Sequence, residues 1–157
     1  MVYKIFLSHS SVDRDWVEWI TVNAKNIGID VYLYEHDHQP GTLIADKLKR
    51  AIRDSDTLVV LLTHNSQFSS YVQQEIGFAE ASGKRIIPLV QPGIQEQSLA
   101  MLEGREYIPF DFYNPEKALS TLLRYLQQLK KVKENEQAVL MGIVGLIFLA
   151  WLLGRKE

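Results

Sequence analysis

The chain has no cysteine in its 157 residues. Disulfide staples, thiolate nucleophiles and the common zinc frameworks are excluded together, and a reducing compartment suits the protein. Charge of one sign is also scarce: 17 Lys and Arg stand against 19 Asp and Glu, a net charge of −2. That balance offers no basic footprint for nucleic acid. The opening MVYKIFLSHS holds too short an apolar run for a secretory leader. Internal repeats and low-complexity segments are missing as well. What remains is an ordinary globular composition, in a length that suits one domain plus an appendage.

The appendage lacks polarity altogether. Residues 138–153, AVLMGIVGLIFLAWLL, contain no charged or polar side chain. As a helix, with Gly154, this run spans about 25 Å, the low end for crossing a hydrocarbon core of about 30 Å. It is apolar all round, so it is not the surface helix of a soluble domain. Trp151 lies near one end, followed by Arg155 and Lys156, while Lys130, Lys131 and Lys133 precede the run and favour the cytoplasmic side. The reading is a domain over 1–129, a charged linker over 130–137 and a single-pass membrane helix over 138–154, with the domain in the cytoplasm. The alternative is a hydrophobic helix buried in a soluble oligomer. Gly142 and Gly145 do not have the GxxxG spacing.

Upstream, β-rich runs alternate with helical patterns. Strands are predicted over 3–7, 29–34, 58–62, 85–90 and 107–110. The run TLVVLLT is apolar throughout, as a central parallel strand covered on both faces would be. Pro88 inside the fourth run predicts a bulge or a sheet edge. Ser10 and Asp13 have capping-box spacing ahead of a helix whose stripe is Trp16, Ile20, Ala24 and Ile27, closed by Gly28. Thr42 is expected to cap a second helix with Ile44, Leu48, Ala51 and Ile52 inward and Lys47, Lys49, Arg50 and Arg53 in water. Residues 91–103 read as loop with a short helix. Asn114 and Pro115 begin a last helix with Leu119, Leu122, Leu123, Leu126 and Leu129 on its core stripe. This alternation implies a parallel sheet with helices on both faces, and ligands in such sheets bind at the carboxyl ends of the strands.

Residues 66–83 read as one helix. Val72, Ile76 and Ala79 share a face, and Tyr71 and Glu75 sit one turn apart on the neighbouring face. Taken alone, Glu75 reads most simply as a solvated residue. His36 and His38 alternate with Glu35 and Asp37 in a polar loop and read as solvated, so no metal is expected. His9 beside Ser8 and Ser10 has no visible third partner for a triad.

Four stretches then coincide in order and spacing: KIFLSHSSVD, GIDVYLYEHDHQPG, AIRDSDTLVVLLT and SSYVQQEIGFA. Together they resemble a TIR (Toll/interleukin-1 receptor) domain of the prokaryotic kind, over roughly residues 1–128. The resemblance implies an α/β, doubly wound, five-stranded parallel sheet of flavodoxin-like form, with the C-terminal hydrophobic helix outside it. The family contains adaptors that bind other TIR domains and enzymes that consume NAD+. The enzymes carry a glutamate on the third helix in an S-x-W-x-x-x-E-like setting, matched here by Ser69, Tyr71 and Glu75, with Tyr where Trp is common. The resemblance therefore implies Glu75 as the catalytic residue, with Ser10, Ser11, Gln39 and Tyr71 at the dinucleotide. It implies cleavage of the nicotinamide–ribose bond of NAD+, or of NADP+, to ADP-ribose or a cyclic ADP-ribose, with no further cofactor. It also implies TIR–TIR self-association. The alternative it leaves is a membrane-anchored, non-enzymatic signalling adaptor.

Overall fold

The computed structural model describes residues 2–36 and 40–155, with the His36 side chain outside the description. Five strands, β1 (Tyr3–Ser8), β2 (Ile29–Tyr32), β3 (Thr57–Leu62), β4 (Arg85–Val90) and β5 (Ile108–Pro109), form one sheet in the order β2-β1-β3-β4-β5. Every pairing is parallel. This is the doubly wound architecture expected from the alternating pattern, and its strand order reverses between β1 and β3. Helices α1 (Arg14–Asn26) and α5 (Pro115–Gly154) cover one face. Helices α2 (Ile44–Asp54) and α3 (Ser70–Ala81) cover the other, beside the short α4 (Glu96–Leu99).

Strand parity sorts the core between these faces. Tyr3, Ile5 and Leu7 point toward α1 and α5, where Ile20, Ala24, Leu122 and Leu126 meet them. Phe6, Leu58, Val60 and Leu62 point toward α2 and α3, against Leu48, Ile52, Val72, Ile76 and Ala79. All six residues of β3 are buried, as its unbroken apolar run requires. Pro88 needs no bulge. The Val90 carbonyl accepts from Phe110 N at 2.8 Å, so by alternation Pro88 also faces β5, whose pairing begins only at Leu89. Trp16 stacks on Phe112 and meets Phe110 edge-on, with centroids 5.0 and 5.4 Å apart, and so packs half-buried against the core.

Several local expectations need correction. Helix α3 begins at Ser70, because Ser66 is taken up in a buried turn with Thr63, whose N–H it accepts at 2.8 Å. Ser69 is the true cap and accepts from Val72 N at 3.3 Å. Thr42 does not cap α2: Leu43 holds that position without a side-chain bond. Lys47 is buried, not in water, with its ammonium 4.6 Å from the Tyr34 ring centroid. Ile44, expected inward, is exposed. The charged segment 130–137 is part of α5, a single helix of 40 residues that runs from the domain through the apolar tail. None of the apolar window of that helix is buried against the domain.

Candidate functional site

Two loops meet where the strand order reverses. One leaves β1 at Ser8, and the other leaves β3 at Thr63 and leads into α3. Ser8 follows Lys4 and Phe6 on the even-numbered positions of β1, so its side chain points to the α2–α3 face like that of Phe6. There its hydroxyl donates to the Glu75 carboxylate. Both partners are buried, Glu75 to 6% exposure. Glu75 therefore belongs to the packed stripe of α3, with Val72, Ile76 and Ala79, and not to a neighbouring face. Tyr71 is 57% exposed and lies outside that stripe. The two residues thus occupy different environments although they are one turn apart.

Removing a carboxylate from water disfavours its charge. Burial pushes Glu75 up to about 7; the Ser8 hydrogen bond works against the rise, and the negative charge of Glu35 adds to it. Glu35 stands in a 3-10 turn just after β2, where His9 Nε2 reaches its carboxylate at 3.0 Å. His9 Nδ1 meets the Leu7 carbonyl at 2.8 Å, so the ring is held from both nitrogens and is not turned toward a serine nucleophile. His9 and Glu35 also line a surface cleft of about 550 Å³ with Arg14, Glu18 and Leu33.

The loops themselves are tied by Asp13. Its spacing predicts a helix cap, yet its side chain makes no cap bond. Instead it is buried, and its two oxygens accept from Thr63 Oγ1 and from Asn65 Nδ2, each at 2.7 Å. Ser10 caps a 3-10 turn over Ser11–Asp13, accepting from Val12 N at 3.3 Å, and Ser11 is exposed on the same turn. Gln39 lies outside the described residues. The structure thus joins Glu75 to Ser8 and sets Ser10 and Ser11 on the adjoining turn. Reading the sequence missed Ser8, Asp13 and the His9–Glu35 pair. For Ser8 the signal was available in strand parity. For Asp13 and Glu35 no local pattern distinguishes the observed partners.

A doubly wound parallel domain with a buried carboxylate at its topological switch point is the class that fold and site define. A family model described as "TIR domain" matches residues 5–123. The chain belongs to the TIR domain family. It is similar to the TIR domain of the Toll-related receptor TRR-2 from Hydra magnipapillata, at 17% identity and a TM-score of 0.64, over 80% of this chain and 98% of that one. It is similar to the TIR domains of the activated Roq1 resistosome that recognises the pathogen effector XopQ, at 16% identity and a TM-score of 0.61, over 79% of this chain and 99% of that one. A CMP N-glycosidase from Clostridium botulinum, BcmB, is similar at 20% identity and a TM-score of 0.54, over 76% and 97% of the two chains. At these identities the likeness concerns the fold. No curated protein matches.

Proposed function

We propose that this TIR domain cleaves the bond between nicotinamide and ribose in NAD+, with Glu75 as the catalytic residue. The observation that carries the reading is a buried glutamate held by a serine hydroxyl at the switch point of the sheet. That a protein of similar fold is a CMP N-glycosidase supports it at the level of the bond type. Most glycosidic cleavages need two carboxylates, since a leaving oxygen must be protonated. Here the leaving nitrogen is already cationic. The electron pair of the C–N bond returns to the pyridinium ring, nicotinamide departs neutral, and no acid is required. The positive charge passes to the ribose as an oxocarbenium-like centre. One carboxylate opposite that centre stabilises it, and does so more strongly where water is excluded. Water attack then yields ADP-ribose and a proton. Attack by another nucleophile of the same molecule yields a cyclic ADP-ribose. Ser10, Ser11, Gln39 and the exposed ring of Tyr71 are proposed to bind the dinucleotide, with no further cofactor. The domain is proposed to self-associate through TIR–TIR contacts.

The test is incubation of the full chain, in detergent or on liposomes, with NAD+ and chromatographic resolution of nicotinamide and its co-products. Nicotinamide release supports the reading; none from the chain assembled on liposomes favours the adaptor. The pH profile adds a second check. The working form of Glu75 is the carboxylate and its value is raised to about 7. kcat/KM is therefore expected to fall about tenfold per pH unit below that value. Ser8→Ala removes the one influence that lowers the value, so it should move this acidic limb to higher pH. A limb that stays in place in Ser8→Ala would separate Ser8 from the chemistry.

Residues 138–154 are proposed to anchor the chain as a single membrane span, with the domain in the cytoplasm. Support comes from the helix itself, whose run from 138 to 153 holds no charged or polar side chain and is not buried against the domain. An arginine at the centre of such a span costs about 2.5–3.5 kcal/mol on insertion scales. Leu146→Arg is expected to move the chain from the vesicle fraction to the soluble fraction in flotation. A wild-type chain that remains soluble with vesicles present would remove the span.

A further inference from the structure

Helix α5 starts after β5, at the end of the sheet where the strands finish, and leaves the domain at the end where they begin. Its lysines fasten it there. Lys133 donates to both oxygens of Asp56 at 2.8 Å and to the Val2 carbonyl at 3.3 Å, and stands 5.7 Å from the Tyr3 ring centroid. Lys130 donates to the Ile27 carbonyl at 3.1 Å. The next residue, Gly28, has a φ of +73°, a conformation that favours glycine, and a Cβ on it would lie 2.7 Å from that ammonium and displace it. These contacts lie just before β2, β1 and β3. The lysines read as a cytoplasmic-side signal in the sequence are, for Lys130 and Lys133, also clamps on the underside of the domain.

The distance from clamp to apolar run is short. Ala138 is five positions after Lys133, about 7.5 Å of helix. The headgroup layer on one side of a bilayer is about 5–7 Å deep. A cleft of about 530 Å³ between underside and helix is lined by Tyr3, Asp56 and Arg85 together with Leu140, which is already inside the apolar run. Underside and membrane-spanning run are therefore neighbours, and the helix between them is unbroken.

Resting on the membrane reading of residues 138–154, we propose that the underside of the domain, where the strands begin, lies on the lipid headgroups. The stiff helix holds it there, and the Ser8–Glu75 end opens away from the bilayer. The underside carries charges of both signs, Lys25, Arg53, Lys84 and Arg85 beside Asp30, Asp54 and Asp56, and the unbroken helix sets the pose.

The absence of cysteine makes the test direct. Single labelled sites Asn26→Cys, at the lower end of α1, and Glu116→Cys, in the first turn of α5, are both exposed. Glu116 is about 35 Å of helix from Val139. The full chain carries a fluorophore at one site or the other in phosphatidylcholine vesicles containing headgroup spin-labelled lipid. The expected result is quenching at Asn26→Cys several-fold stronger than at Glu116→Cys, and loss of that difference when a flexible Gly-Ser segment is inserted after Gln137. Equal quenching in the uninterrupted chain overturns the pose. A difference that survives the insertion overturns the role of the helix. Flotation of the same samples reads the anchoring separately: a chain that does not float removes the membrane reading and this inference with it, whereas a floating chain with equal quenching removes only the inference.

Discussion

Glu75→Gln is expected to abolish nicotinamide release from NAD+ and, at pH 8, to make the domain more stable to heat. The first effect follows from charge. An amide keeps the shape of the side chain and a partner for the Ser8 hydroxyl, but offers no negative charge to an oxocarbenium-like ribose. Loss of the main electrostatic stabiliser of a transition state costs about 10²–10³ in rate or more. The second effect follows from burial. The folded value of Glu75 is raised from 4.5 to about 7, so the fold prefers the protonated form. Below the unfolded value both states are protonated and Glu75 contributes no pH-dependent penalty. As pH rises from about 4.5 through 7 the unfolded chain ionises more readily, and native stability is lost. That penalty is complete above about 7 and is on the order of 3 kcal/mol. Glutamine does not ionise and avoids it. The expected gain in Tm at pH 8 is roughly 5–10 °C, shrinking toward zero at pH 4–5. Calorimetric scans of both proteins at the two pH values, with NAD+ turnover beside them, measure it. A Tm difference independent of pH would mean that Glu75 titrates as an ordinary surface residue. Retained turnover in Glu75→Gln would end its assignment as catalytic. Opposite signs for activity and stability in one substitution are the signature of a side chain kept at some cost to the fold.

The fold was legible in the sequence because its signals are redundant. TLVVLLT suits a central strand covered on both faces, and five β-rich runs separated by helical periods admit few arrangements. The site was legible only in part. Glu75 is one turn from both Tyr71 and Ala79, so its periodicity serves two faces equally. Packing against Phe6 and Ser8 decides that the Val72–Ala79 face is the buried one. A single helix does not contain that information. Asp13 shows the same limit from the other side. Its capping-box spacing is real, but two donors 50 and 52 residues away compete for its oxygens and win. Long-range polar partners of this kind leave no periodic trace. The charged segment 130–137 was read as a linker by composition. It contains no glycine or proline to end a helix, and the fold continues α5 straight through it.

Asp13→Ala is expected to lower stability by about 2–4 kcal/mol, well beyond the roughly 1 kcal/mol of a lost helix cap. The carboxylate is 3% exposed and accepts from the hydroxyl of Thr63 and the amide of Asn65. Alanine leaves the Thr63 donor, which is buried, without its acceptor. The network does not end there. Thr63 Oγ1 accepts from Asn65 N at 3.1 Å, the Thr63 N–H is held by Ser66, and Ser66 Oγ donates to the Leu61 carbonyl at 2.9 Å. Asp13 thus pins the loop that follows Ser8 to the turn that launches α3, and so sets how Ser8 meets Glu75. Asp15→Ala, on the exposed side of the same helical turn, should change stability by less than about 0.5 kcal/mol. A double-mutant cycle of Asp13→Ala with Thr63→Val, followed by denaturant unfolding, should give a coupling of about 1–3 kcal/mol. A coupling near zero would return Asp13 to the role its sequence spacing predicts. With coupling present, Asp13→Ala should also slow NAD+ cleavage although its carboxylate touches neither Ser8 nor Glu75. In that case the geometry of the switch point, and not Glu75 alone, sustains the reaction.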